Sequence, residues 1–125
     1  MILLWIALGG ALGSVARFSV VTLSDRILGT GLPSGTLIVN VVGSFAMGFL
    51  AAFLARKFAG AENLKYFLTT GFLGGFTTFS AFSLDVFQLM QRGEMPWALV
   101  YVAASVVLSI VALFAGYALA QGINT

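Results

Sequence analysis

The sequence has no cysteine, no histidine and only two prolines, and its 125 residues carry just six Lys or Arg and four Asp or Glu. Each scarcity excludes something. Without cysteine there is no disulfide framework; with histidine also missing there is no Cys/His zinc site, no His-ligated haem and no His-based catalytic triad. The carboxylates are Asp25, Glu62, Asp85 and Glu94. All but Asp85 fall in polar connections, so paired acid–base chemistry has almost no material, and an enzyme is not expected. The net charge of +2 is scattered, with no basic patch of the kind that grips nucleic acid. Charged residues make up 8% of the chain, against about 25% in an ordinary soluble domain. Such a chain has too few charges to cover a water-facing surface.

What is present is apolar: 60% of the residues are hydrophobic, and they run in long stretches. A helix needs about 20 mostly apolar residues to cross a bilayer. Charge, Pro and Gly divide the chain into four such spans, at roughly 2–23, 35–55, 66–90 and 96–120. The expected architecture is therefore an all-α membrane protein of one domain over 1–125, with connections too short to hold a second. The opening "MILLWIALGG" lacks the basic start of a signal peptide, since the first positive side chain is Arg17. It reads as a retained membrane helix.

Four spans put Arg56, Lys57 and Lys65 on one side of the membrane and Arg26 and Arg92 on the other, with Arg17 leaning toward the second group. The bias that normally fixes orientation is close to zero. One reading is insertion in both directions, with two opposite copies pairing about an axis in the membrane plane. The other is that Arg17 is buried and the small remaining bias suffices.

Polar residues inside the spans fall in register. Thr36, Asn40, Ser44 and Gly48 recur every four residues, as do Tyr101, Ser105 and Ser109, so each set shares one helix face. Such stripes serve either as helix–helix glue or as a polar pathway. Gly9 and Gly13 in the first span are packing residues on the same logic. A carboxamide at mid-span makes Asn40 the strongest single signal, because it needs hydrogen-bond partners there.

The third span contains "GFLGGFTTFSAFS", from Gly71 to Ser83. Gly74-Gly75 followed by Thr77-Thr78 makes a poor continuous helix and a good break, since Gly tolerates irregular dihedrals and Thr caps a new helix. A break exposes carbonyls that suit a cation and N–H groups that suit an anion. A glycine-rich kink used only for close packing is the competing reading. Beyond it, Phe79 and Phe82 share a face and alternate with Thr78, Ser80 and Ser83. Phenyl edges carry positive charge. Together with hydroxyl hydrogens they are suited to replacing the water around a small anion without holding it firmly.

"GGALGSVARF", "GTLIVNVVGS" and "TTGFLGGFTTFSAFS", in this order and covering nearly the whole chain, resemble the three signatures of the CrcB/Fluc fluoride channel family. The resemblance implies a dual-topology, antiparallel homodimer in the cell membrane with two pores at its interface. It implies passive fluoride export that lowers cytoplasmic fluoride, each pore using rings from both subunits. On the positions that match, the ion-path phenylalanines are Phe79 and Phe82 and the mid-membrane asparagine is Asn40. The polar path falls on Ser80, Tyr101 and Ser105, with Thr78, Ser83 and Ser109, and the vestibule arginine on Arg17. A structural sodium ion at the dimer interface would be held by the backbone carbonyls of Gly74 and Thr77 and would not be transported. The sequence departs from many members at Ala81, where a threonine hydroxyl is missing from the polar track, which bears on conduction rate more than on ion identity. Arg17 and Asp85, at similar depth, are expected to pair within a subunit or across the dimer. A small dual-topology multidrug exporter is the first alternative, although the carboxylate it needs is missing from the first span. A non-transporting packing subunit is the second.

Overall fold

The computed structural model describes residues 1–57 and 60–124, without the side chains of Arg56, Lys57 and Asn124, so the charges at 56 and 57 that enter the topology count lie outside the described residues. Helix α1 spans Ile2–Leu28 and α2 spans Ser34–Lys57. The third membrane segment is composite. It comprises α3 (Glu62–Tyr66), a π-helical stretch (Phe67–Leu73), α4 (Gly74–Phe76) and α5 (Phe79–Gln91). Helix α6 spans Met95–Asn124. The segments 2–28, 34–55, 62–91 and 95–123 are each long and apolar enough to cross a membrane.

Each helix extends past the apolar span read from the sequence, because polar residues near the ends, such as those at 24–26 and 62–65, continue the hydrogen-bond ladder. Helix α1 runs on through Ser24, Asp25 and Arg26 to Gly29, whose φ of 84° only glycine adopts cheaply. The Gly29 N–H closes on the Asp25 carbonyl at 3.0 Å. Pro96 sits in the first turn of α6, where its missing N–H costs nothing.

Close packing comes from glycine on facing helices. A Cβ on Gly9 or Gly13 of α1 would run into the backbone carbonyls of Phe67 and Phe72 in the π-helical stretch. In return, a Cβ on Gly75 would lie 2.5 Å from the Gly10 carbonyl. Helix α2 lies along α6 in the same manner, with Gly48 against Leu113 and Gly116 against Phe45. In lipid, where apolar burial supplies no drive, such backbone approach and its dispersion contacts hold helices together. Toward the other end, Phe82, Leu89, Ala98 and Tyr101 form a buried cluster between α5 and α6, packed by Leu37 of α2.

The third segment is broken as expected, but not at its glycines. Gly74 is helical at φ −61° and ψ −38°; the chain opens at Thr77 (φ −91°, ψ 158°) and Thr78 (φ −157°, ψ 124°). Gly75 serves the approach to α1 instead, while Gly74 lies exposed. The π-helical stretch has no counterpart in the sequence reading; it lies where α1 and the third segment meet backbone to backbone.

Candidate functional site at the helix break

The break is held by side chains that replace the missing helix ladder. Thr77 N–H and Thr77 Oγ1 both donate to the Leu73 carbonyl, at 3.0 and 2.9 Å. From α2, the Asn40 carboxamide reaches Thr78 twice: Oδ1 accepts from its N–H at 2.8 Å and Nδ2 donates to its carbonyl at 3.1 Å. Thr78 then caps α5, its hydroxyl accepting from Ala81 N–H at 3.1 Å and meeting Ser80 Oγ at 3.1 Å. Asn40 therefore has the partners that its depth demands, and one of its amide hydrogens remains uncommitted among the described residues.

These substitutions free particular carbonyls. In a continuous helix, the Gly74 and Thr77 carbonyls would accept from the N–H groups of Thr78 and Ala81. Those donors are turned to Asn40 and to the Thr78 hydroxyl instead. Of the two carbonyls between them in sequence, that of Gly75 accepts from Arg17 Nε at 3.0 Å. A guanidinium thus stands at the carbonyl-rich end of the first half-helix, a favourable place for positive charge.

Beside the break lies a cavity of about 400 Å³ between α2, α5 and α6, with Asn40, Thr78, Phe79, Phe82, Ser105 and Ser109 on its wall. Gly43, Ser44 and Met47 of α2 also line it. Gly43 and Met47 carry no polar side chain, so polar-stripe reasoning passed over both. Among the described residues, no Lys or Arg lines this cavity. Ser105 Oγ is buried there, beside the Tyr101 hydroxyl.

The two motif phenylalanines differ in exposure. Phe82 is buried at 7% and its ring lies 5.3 Å from Tyr101, centroid to centroid. Phe79 is 78% exposed, yet its ring stays 5.5 Å from Phe82 at a 46° tilt. Gly74, Ser80 and Ser83 are exposed as well. Ser83 Oγ donates to the Phe79 carbonyl at 3.0 Å, which commits its hydrogen within the helix. Ser80, Ser83, Tyr101 and Arg17 do not line the cavity.

Tyr101 looks the other way. Its hydroxyl donates to Asp85 Oδ2 at 2.9 Å. Asp85 lines a second, smaller cavity of about 200 Å³ with Asp25, Thr36, Gln88 and Arg92. Arg92 pairs with Glu94 at 3.1 Å and donates to the Gly31 carbonyl at 2.8 Å. The expected Arg17–Asp85 pair does not form within one subunit, because the break offers Arg17 a carbonyl and Tyr101 offers Asp85 a hydroxyl.

Fold and site together define a four-span helical membrane protein with a broken third span that borders a polar and aromatic cavity. Comparison with known proteins narrows this. Residues 4–117 match the family described as "CrcB-like protein, Camphor Resistance (CrcB)". The "Fluoride-specific ion channel FluC" of Chelativorans sp. (strain BNC1) is 55% identical over 121 residues, 97% of each chain. Relatives of the same name from Paracoccus denitrificans (strain Pd 1222) and Rhizobium etli (strain ATCC 51251 / DSM 11541 / JCM 21823 / NBRC 15573 / CFN 42) are 55% and 51% identical. They align with 96% of this chain and with 94% and 96% of their own lengths. The chain belongs to the CrcB family.

Proposed function

We propose that the chain is a fluoride channel of the cell membrane, formed by two copies inserted in opposite orientations. The observation that carries this reading is the full-length identity of about half or more to relatives named fluoride-specific ion channels. The site's chemistry supports it. Fluoride holds water tightly, so a path for it must offer replacement donors while letting the ion leave again. Hydroxyl hydrogens of Ser105, Ser109 and one of the paired Thr78 and Ser80, the second amide hydrogen of Asn40, and the edges of Phe79 and Phe82 supply weak positive charge in and beside the cavity. Among the described residues no fixed cation lines the cavity to trap the anion. A membrane potential negative inside drives fluoride outward by ~2.3 kcal/mol per 100 mV, so the cell loses fluoride without coupling to another ion.

The second copy is motivated by what one subunit leaves uncovered. Gly74, Ser80 and Ser83 are exposed beside Phe79, inside a membrane span. Hydroxyls and carbonyls facing lipid there are costly. An inverted copy covers them and brings its own Phe79 ring to the path, giving two pores per dimer. The donor set also fits a structural sodium ion at that interface. The carbonyls of Gly74 and Thr77 are the ones whose helical donors are turned elsewhere, and hard carbonyl oxygen suits a hard cation. Bound there, sodium supplies positive charge to the end of the half-helix and is not transported.

Purified protein in liposomes with matched fluoride and chloride gradients tests the reading. Fast fluoride efflux with negligible chloride efflux is the expected result. Proton-coupled uptake of an organic cation would point to the multidrug exporter instead, and absence of any flux would sink both.

A further inference from the structure

Gly43 of α2 faces the break one turn beyond Asn40. A Cβ placed on it would fall onto the Thr77 Cγ2 methyl, well inside contact distance. The next atoms, Phe76 Cδ2 at 3.4 Å and Thr77 Cβ at 3.7 Å, lie at or near ordinary contact. This differs from the other close glycines: Gly9, Gly13, Gly48 and Gly116 meet backbone carbonyls, whereas Gly43 meets a single side-chain methyl of a break residue.

That methyl cannot swing away freely. Thr77 is β-branched, with few χ1 choices. Its hydroxyl is bound to the Leu73 carbonyl at 2.9 Å and its N–H to the same oxygen at 3.0 Å. The following residue, Thr78, is clamped by Asn40. An added methyl at 43 must therefore displace Thr77 from Leu73 or push the break away from α2.

We propose that Gly43 is a positioning residue for the break: its bare Cα is the seat for the Thr77 methyl, and that seat fixes where the Thr77 carbonyl points. The proposal rests on the channel reading for its functional consequence, since Thr77 is there a sodium-binding carbonyl. The fixed contact itself does not. Helix α2 then acts as a template, with Asn40 setting the backbone of Thr78 by hydrogen bonds and Gly43 setting Thr77 by shape.

The test is a cycle of four full-length proteins: wild type, Gly43→Ala, Thr77→Ser and the double variant. Thr77→Ser removes the methyl and keeps the hydroxyl. Gly to Ala within a helix ordinarily favours the helix, so any loss must come from the contact. In the wild-type background, Gly43→Ala is expected to lower fluoride efflux by about tenfold, and to raise the sodium concentration that gives half-maximal efflux. In the Thr77→Ser background the same change is expected to cost less than about threefold. The thermal midpoint of detergent-solubilised protein should show the same coupling. A Gly43→Ala chain that misfolds while the double variant folds also supports the contact. Wild-type behaviour of Gly43→Ala, an unchanged sodium dependence, or equal losses in both backgrounds would overturn the proposal. A wild type without fluoride flux would defeat the channel reading alone, and the thermal midpoints would then decide the contact.

Discussion

Asn40→Ala removes both hydrogen bonds that bridge α2 to the break, 2.8 Å to the Thr78 N–H and 3.1 Å to its carbonyl. A hydrogen bond contributes about 1 kcal/mol net, and a partner left dry costs about 1–3 kcal/mol. Here both Thr78 groups are only part-buried and border a 400 Å³ cavity that has room for water. The lower part of that range applies, for a total of about 2 kcal/mol. If the loss falls on the conducting arrangement, fluoride efflux should drop by about thirtyfold. If it falls on folding instead, efflux per folded dimer stays high and the thermal midpoint drops. Measuring efflux from liposomes at known protein density, beside thermal unfolding in detergent, separates the two. Efflux within twofold of wild type together with an unchanged midpoint would refute the reasoning. It would mean that the break persists without the carboxamide, held by Thr77 on Leu73 and by the cap on α5 alone.

Phe79→Ile and Phe82→Ile should both abolish most fluoride efflux, but Phe82→Ile should lower the thermal midpoint further, because Phe82 is buried against Tyr101 within the subunit while Phe79, 78% exposed there, is covered only by the second copy. Equal midpoints for the two variants would contradict that division. Tyr101→Phe keeps the ring against Phe82 and removes the hydroxyl bond to Asp85, so a destabilisation of about 1.5 kcal/mol is expected in thermal unfolding; no shift would show that water replaces the phenol. Gly13→Leu drives a side chain into the Phe72 carbonyl. Loss of folded protein on size-exclusion chromatography is expected, and normal yield would show that α1 and the π-helical stretch slide apart more easily than their packing suggests.

Much of the architecture was legible because lipid leaves few choices. Long apolar runs must be helices there, and the few charges and turn residues in between mark the ends. Asn40 was legible for the same reason: a carboxamide at mid-span must find partners, and it does, on Thr78. Thr78 was readable as a cap, which it is for α5. Gly74-Gly75 misled in part. Glycine signals either an opening or an approach, and only the position of α1 decides that for Gly75 it is approach. Within one subunit Arg17 does not pair with Asp85, since its partner is a carbonyl that becomes free only because the chain opens two residues later. Gly43 stands inside the signature "GTLIVNVVGS" but received no role there, because an empty site has meaning only beside what fills it.

The sequence by itself therefore determined the helical membrane class, the four spans, an irregular stretch in the third that is either break or kink, and the polar residues that would need partners. These follow from composition and short-range pattern, which act residue by residue. Tertiary structure alone decided where the break opens, which carbonyls it frees, that Arg17 and Asp85 take separate partners, and that Phe82 is covered while Phe79 is bare. Those outcomes depend on which helices meet and at what depth, and contacts between distant parts of a chain are not encoded in any local stretch of it.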